Sequence, residues 1–260
     1  AALLLMLIPL GWWFSFSGKH KFFHYKGSVL VLFYVLLVFT FGRFSIFLSL
    51  LQLPFIYQFV KKEKIKKIYL CLVGAILIFT LIVVGIFSKN SSENCAVHEF
   101  RSQICKPISK EVRPEYLKQS WLSFKSYPLF GYGPGTFSLI TKKFNVIAQY
   151  SSVYAHNVFI QIFSESGLFV GIIYVFLIFF LYKNMMSIFK IKNLHSENYF
   201  IFLGLVSLLL NSLMDFDWNL FAIYQMTIIF IAVILWDYQQ HGYKEFLFKT
   251  DTFIKFIWLI

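Results

Sequence analysis

The stretch NVFIQIFSESGLFVGIIYVFLIFFLY, residues 157–182, decides the fold because it is apolar over a length that can cross a lipid bilayer. A membrane-spanning helix needs about 20 largely apolar residues. Six further apolar segments, some of them shorter, lie at residues 1–16, 27–41, 44–60, 68–87, 199–214 and 219–236. The sequence therefore predicts an all-α membrane protein, a polytopic helical bundle with about seven spans.

The composition of the whole chain agrees with a membrane protein. Of its 260 residues, 58% are hydrophobic and only 14% are charged, whereas a soluble domain carries about 25% charged residues. The net charge of +12 could indicate either a nucleic-acid partner or an anionic membrane surface. Most of the lysines lie in short loops between the apolar segments, a pattern typical of cytoplasmic loops. We therefore expect membrane lipids as partners and no nucleic acid.

The positions of the basic residues predict the orientation. The short connections around Lys19, at KKEKIKK (residues 61–67) and around Lys190 are basic and are expected on the cytoplasmic side. Both chain ends lie in or beside apolar segments, so we expect a fragment with further spans on either side. The predicted organisation is transmembrane helices over 1–87, a large outer loop over 88–156, transmembrane helices over 157–236, and a cytoplasmic tail or the start of a further span over 237–260.

The outer loop, residues 88–156, is too long for a simple connection. Loops longer than about 12–15 residues are usually functional or disordered, and the many aromatic residues in the second half of this loop argue against disorder. Residues 114–126 have helical spacing, with Tyr116 and Trp121 among the apolar positions. They predict an amphipathic helix at the membrane interface.

The histidines and cysteines do not form a pattern typical of a metal site. The predicted topology divides the six histidines between the two membrane faces, and no cluster with ligand spacing accompanies them. We therefore expect no metal ion and no other cofactor. Cys95 and Cys105 share the outer loop, where they either form a disulfide that clamps the loop or remain free thiols.

Two arginines are candidates for binding an anion. Arg43 stands in VFTFGRFSIFL, residues 38–48, and an arginine within a membrane costs about 2.5–3.5 kcal/mol on insertion scales. It is either a hairpin residue that reaches the outer headgroups or part of an anion site at the outer end of the bundle. Arg113, before Pro114, is either a solvated loop charge or a guanidinium that holds a phosphate through two parallel hydrogen bonds.

The glycine run in YPLFGYGPGTF, residues 127–137, predicts a tight turn. Gly131, Gly133 and Gly135 permit backbone conformations that other residues resist. The run superficially resembles a phosphate-binding loop, but it lacks the GK[ST] ending and a preceding strand pattern. We expect the turn to direct the following segment back towards the bilayer.

His156 lies where the chain re-enters the membrane. A neutral imidazole there could take a proton from a hydroxyl near neutral pH, or the residue only caps the helix that starts at Asn157. Glu165 falls two to three turns into the predicted span, where a carboxylate needs a purpose or a partner. Asp215, in SLMDFDW, either bounds a hairpin or pairs with Arg43. Asn157, Glu165 and Asp215 are therefore candidates for supporting roles.

These features follow one another in a recognisable order: Arg43 after a short apolar run, a long outer loop with Arg113, then YPLFGYGPGTF, HN, ESG and SLMDFDW. In this order they resemble the O-antigen ligase and O-antigen polymerase superfamily of bacterial polytopic glycosyltransferases. The resemblance covers about residues 27–236, and the glycine run followed by HN is its most specific part. One departure is that ligase-like members often have Ser-Arg-Gly where this chain has Gly42, Arg43 and Phe44.

The resemblance implies transfer of a glycan from undecaprenyl diphosphate to an acceptor hydroxyl, at the periplasmic face of the bacterial inner membrane. Arg43 and Arg113 would hold the diphosphate, and His156 would be the catalytic base of an inverting, metal-independent reaction. The acceptor stays open between lipid A core in an O-antigen ligase, which we favour, the growing glycan in a polymerase, and a protein hydroxyl in an O-oligosaccharyltransferase. A lipid-glycan flippase, without chemistry, is the alternative from another class; it would place charges halfway through several helices.

Overall fold

The computed structural model describes residues 1–16, 23–40, 42–58, 63–89, 112–145, 151–188, 196–215 and 220–240. Within these ranges the chain forms helices and turns and contains no strand, which confirms the all-α prediction. The helices are, in chain order, α1 (Ala2–Phe16), α2 (Phe23–Phe39), α3 (Arg43–Tyr57), α4 (Glu63–Lys89), α5 (Arg113–Ser126), α6 (Phe137–Phe144), α7 (Val158–Ile188), α8 (Ser196–Asn211) and α9 (Phe221–Gln240).

Each predicted span coincides with a helix, although the boundaries differ by several residues. The helix α4 begins at Glu63, within the basic sequence KKEKIKK. Lysine and glutamate are good helix formers, so part of the expected loop continues the helix. The helix α7 continues to Ile188, beyond the predicted end at residue 182, and Gly167 interrupts it with φ 75° and ψ −171°. Helix α6 was not predicted.

The number of membrane spans stays a prediction. In the part of the chain that the structure describes, Val158–Lys183 is long and apolar enough to cross a membrane, judged by length and composition. Shorter apolar helical segments of 10–17 residues are Ala2–Phe16, Gly27–Phe39, Arg43–Tyr57, Tyr69–Val83, Glu197–Asn211 and Phe221–Asp237. Local thinning of the bilayer and snorkelling of flanking residues can accommodate short helices, so these lengths leave the seven-span arrangement open.

The central helix of the bundle is α1, which packs against α2, α3 and α8. Trp12 lies fully buried between the helices and donates its indole N–H to the hydroxyl of Tyr34 at 3.1 Å. Gly204 of α8 lies against the backbone of α1, since a Cβ at this position would be 2.4 Å from the carbonyl oxygen of Met6. The close approach of the two backbones fixes α8, whose C-terminal end contributes to the site described below.

The helices α5 and α6, which lie between the apolar helices α4 and α7 in the chain, pack against α7. The buried face of α5 is largely polar and contains Gln119, Ser120 and Ser123. The opposite face exposes Leu117 (38%) and Trp121 (54%). Apolar side chains therefore point away from the protein, as they do in a helix that lies on a membrane surface.

Candidate functional site

His156 lies between α5 and the turn that follows α8. Its imidazole ring stacks on the ring of Tyr116, with centroids 5.7 Å apart and planes inclined by 15°. Its Nδ1 lies 3.5 Å from Oδ1 of Asp215, which is longer than an ordinary hydrogen bond. The His156 side chain is 26% exposed, so part of the imidazole lies at the protein surface.

The backbone of His156 has an unusual conformation. Its φ angle is 54°, and it is the described non-glycine residue with a positive φ. A left-handed conformation costs an L-residue about 1–2 kcal/mol and persists only where neighbouring contacts enforce it. Two such contacts follow directly in the chain: the N–H of Val158 donates to the carbonyl of Ser212 at 3.1 Å, and Asn157 Nδ2 donates to the carbonyl of Leu213 at 2.9 Å.

Asn157 is the residue that caps α7. Its Oδ1 accepts a hydrogen bond from the backbone N–H of Ile160 at 3.1 Å, which is the usual geometry of an asparagine N-cap. The helix-cap alternative considered for His156 is therefore fulfilled by its neighbour. The same amide group joins the start of α7 to the end of α8, as described above.

Arg43 and Arg113 occupy equivalent positions, because each is the first residue of a helix. Arg113 lies one helical turn before Tyr116, on the same face of α5, so the first turn of α5 adjoins the imidazole. Ser45, two residues after Arg43, donates to Asn211 Oδ1 at 2.8 Å. Since Asn211 is the last residue of α8, the start of α3 adjoins the turn that carries Asp215.

The glycine turn packs directly against the interruption of α7. The N–H of Gly133 donates to the carbonyl of Glu165 at 2.7 Å. A Cβ at Gly131 would lie 2.4 Å from the carbonyl carbon of Glu165, and one at Gly167 would lie 2.3 Å from the carbonyl oxygen of Leu129. Real Cβ atoms do not approach backbone atoms this closely, so both positions require glycine.

Glu165 is 7% exposed and has three hydrogen-bond donors. Its carboxylate accepts hydrogen bonds from the N–H of Gly135 at 3.0 Å, the N–H of Phe137 at 2.9 Å and the side chain of Gln161 at 3.3 Å. Phe137 is the first residue of α6, so the carboxylate satisfies N–H groups at the start of this helix and complements its dipole. The partner expected for a buried carboxylate is thus the glycine turn itself.

A small apolar groove of about 60 Å³ lies between α7, α8 and α9. Its lining is almost entirely apolar and includes Leu181, Phe202, Leu205, Leu209 and Ile231. On α7 the lining residues lie more than twenty positions after His156. The groove is therefore an apolar surface between helices and lies apart from the imidazole.

Sequence reasoning missed three features of this site: the stacking of Tyr116 on His156, the helix α6, and the contacts of Gln161. Only α6 had a local signal, the helical spacing of Phe137, Ile140 and Phe144. The proposed disulfide between Cys95 and Cys105 falls outside the described residues. Within the described ranges, no three His, Cys, Asp or Glu residues form a group that could hold a metal ion.

Comparison with known proteins gives one match. A family model described as O-antigen ligase matches residues 27–175, more than half of the chain, and this range includes Arg43, Arg113 and His156. No curated protein and no solved structure matches the chain. The chain therefore belongs to the O-antigen ligase family of bacterial integral membrane proteins, which implies glycan transfer of the ligase or polymerase type.

Proposed function

We propose that this protein transfers a glycan from undecaprenyl diphosphate to an acceptor hydroxyl, at the periplasmic face of the bacterial inner membrane. The observation that carries the proposal is the contact between His156 and Asp215 beside the arginine-headed starts of α3 and α5. A general base and two fixed cations are the groups that this reaction needs. His156, Arg43 and Arg113 come from three separate segments of the chain, and Asp215 from a fourth, which supports a shared function.

His156 acts as the general base in this proposal. The carboxylate of Asp215 beside Nδ1 favours the tautomer with a proton on Nδ1, in which Nε2 carries the lone pair that accepts a proton. Nε2 takes the proton of the acceptor hydroxyl while the hydroxyl oxygen bonds to the anomeric carbon of the donor sugar. The bond between that carbon and the diphosphate oxygen breaks, and attack from the opposite side inverts the configuration. General base catalysis of this kind contributes about 10²- to 10⁴-fold to a rate.

Arg43 and Arg113 bind the diphosphate and stabilise its charge as it leaves. A guanidinium can donate two parallel hydrogen bonds to phosphate oxygens. Each arginine also stands at a helix start, where backbone N–H groups and the helix dipole favour an anion. The N-cap residues of α3 and α5, Gly42 and Val112, accept no hydrogen bond from these N–H groups through a side chain. Because two guanidinium groups can neutralise a diphosphate, the reaction proceeds without a metal ion in this proposal.

The membrane supplies the donor, whose lipid chain lies in the bilayer in this proposal. Exposed apolar side chains support embedding in lipid: Phe169, Ile172, Ile173 and Phe176 of α7 are all more than half exposed and share one helix face by their spacing. Phe130, 78% exposed, contacts Phe169 with ring centroids 6.1 Å apart. A soluble protein rarely exposes such a surface.

Among the acceptors we favour lipid A core, so that the protein is an O-antigen ligase; a polymerase or a protein O-oligosaccharyltransferase would use the same chemistry. The product that accumulates in a strain lacking the protein distinguishes a ligase from a polymerase. Unattached polymer on the lipid carrier indicates a ligase, whereas core capped with one repeat unit indicates a polymerase. If the protein were a flippase, the strain that lacks it would accumulate neither product, because a flippase delivers the lipid-linked glycan and forms no glycosidic bond.

The role of His156 is tested by expressing the full-length His156→Ala variant in that strain. We expect normal protein abundance and a loss of surface glycan. The control is Val153→Ala, since Val153 is 61% exposed three residues earlier in the same segment, and it should restore the glycan fully. Normal surface glycan in the His156→Ala strain would exclude His156 as the base.

A further inference from the structure

Gln161 connects the backbone beside His156 to the carboxylate of Glu165. Its Oε1 accepts a hydrogen bond from the N–H of Ala155 at 3.2 Å, and its Nε2 donates to Oε1 of Glu165 at 3.3 Å. Gln161 is 7% exposed and Ala155 is 1% exposed. The side-chain amide therefore lies in the interior, between the residue that precedes the imidazole and the glycine turn.

The two partners of Gln161 determine which way its amide points. An ionised carboxylate can only accept hydrogen bonds, and a backbone N–H can only donate. The carbonyl end of the amide must therefore face Ala155, and the NH₂ end must face Glu165. A reversed amide would oppose donor to donor and acceptor to acceptor, leaving buried polar groups unpaired. Glu165 is itself fixed by the N–H groups of Gly135 and Phe137.

The contact with Ala155 completes the restraint on His156. After the histidine, Asn157 and Val158 are bonded to the end of α8. Before it, the N–H of Ala155 is bonded to Gln161. The left-handed backbone of His156 is thus held on both sides, through the peptide group that precedes Ala155 and the one that precedes Val158.

We propose that Gln161 is a positioning residue for the general base. It holds Ala155 and thereby keeps the backbone of His156 in the conformation that directs the imidazole between Tyr116 and Asp215. The inference rests on the proposed function of His156. Because the contact with Ala155 reaches the reaction only through this histidine, its loss slows the chemical step and leaves donor binding unchanged.

The test uses the purified full-length protein in lipid vesicles with a polyprenyl-diphosphate glycan as donor. The Gln161→Met variant keeps the side-chain volume and removes both hydrogen bonds. We expect kcat per folded protein to fall about 10- to 100-fold, the loss produced by a small misplacement of a catalytic group, while the donor KM stays within about twofold. An unchanged kcat, or a loss that appears in KM instead, would overturn the inference.

Two further variants separate positioning from a general loss of stability. Gln52→Met removes another buried glutamine, 2% exposed, whose amide bonds Ser207 and the carbonyl of Leu5; its kcat per folded protein should equal that of the natural protein. Gln161→Glu keeps the oxygen that Ala155 requires, and a proton shared with Glu165 replaces the lost N–H. We expect it to retain most of kcat, and a kcat as low as that of Gln161→Met would contradict the role of the Ala155 contact.

The His156→Ala variant distinguishes failure of this inference from failure of the proposed function. If His156→Ala is inactive and Gln161→Met is normal, only the positioning role is wrong. If His156→Ala transfers glycan normally, the general-base proposal itself is wrong. In that case a slow Gln161→Met variant would not support positioning of a base either.

Discussion

Replacing Gly167 by alanine tests the contact between the glycine turn and the interruption of α7. Two separate penalties apply at this position. Gly167 has φ 75° and ψ −171°, a region of backbone space that is essentially restricted to glycine and costs an L-residue about 1–3 kcal/mol. Its added Cβ would also lie 2.3 Å from the carbonyl oxygen of Leu129 and 2.6 Å from the backbone nitrogen of Gly131. Both of these are backbone atoms that cannot rotate away, so overpacking adds about 1–3 kcal/mol.

Gly135 is the matched control for this substitution. Its φ is 71°, close to that of Gly167, but no heavy atom lies within 4 Å of an added Cβ. Gly135→Ala should therefore cost only the conformational term of about 1–2 kcal/mol. Because both substitutions place an L-residue at a similar positive φ, the difference between the two variants is chiefly the close approach of the backbones, about 1–3 kcal/mol in the free energy of unfolding.

The assay is thermal unfolding of each purified variant in the same detergent. For a chain of this size, 1 kcal/mol shifts the unfolding midpoint by roughly 2–4 °C. Gly167→Ala should consequently unfold roughly 2–12 °C below Gly135→Ala. Equal midpoints for the two variants would refute the close packing of the turn on α7.

Three other substitutions give distinct outcomes. Glu165→Gln should lower the thermal midpoint, because the new NH₂ faces a backbone donor and leaves buried groups unpaired, at about 1–3 kcal/mol; an unchanged midpoint would argue against the capping role of the carboxylate. Gly204→Ala should destabilise the bundle by forcing α8 away from α1. Its control is Gly74→Ala, which has open space around the added Cβ and should be neutral or stabilising by up to about 1 kcal/mol. A lower thermal midpoint for Gly74→Ala than for Gly204→Ala would contradict the packing described for α1. Asp215→Asn should reduce kcat about tenfold or more in steady-state kinetics, with little change in donor KM. An unchanged kcat would contradict the proposal that Asp215 orients the base.

The helices of the bundle could be predicted because their signal is local. A run of apolar residues is enough to indicate a buried or lipid-facing helix, and each of the predicted spans coincides with one. The interruption of α7 at Gly167 was not predicted, because the short stretch SESG, residues 164–167, is flanked on both sides by apolar residues that fit one long span. The positive φ of Gly167 follows from the glycine turn, which lies more than thirty residues earlier in the chain.

The site could be predicted in its residue types but not in its contacts. Arg43 and Glu165 stood out because charges in apolar segments need a compensating interaction. The partner of Glu165 is a set of backbone N–H groups, which have no sequence signature. The contact of His156 with Asp215 joins segments far apart in the chain, and Gln161 is an ordinary polar residue within a helix unless the position of Ala155 is known.

The most direct test of the central claim measures donor binding and glycan transfer separately in the purified full-length protein. We predict that His156→Ala binds the polyprenyl-diphosphate donor with natural affinity but transfers its glycan about 10²- to 10⁴-fold more slowly. We also predict that Arg43→Gln weakens donor binding, since a cation at the diphosphate is lost. Transfer by His156→Ala at the natural rate would contradict the role of His156 as the general base.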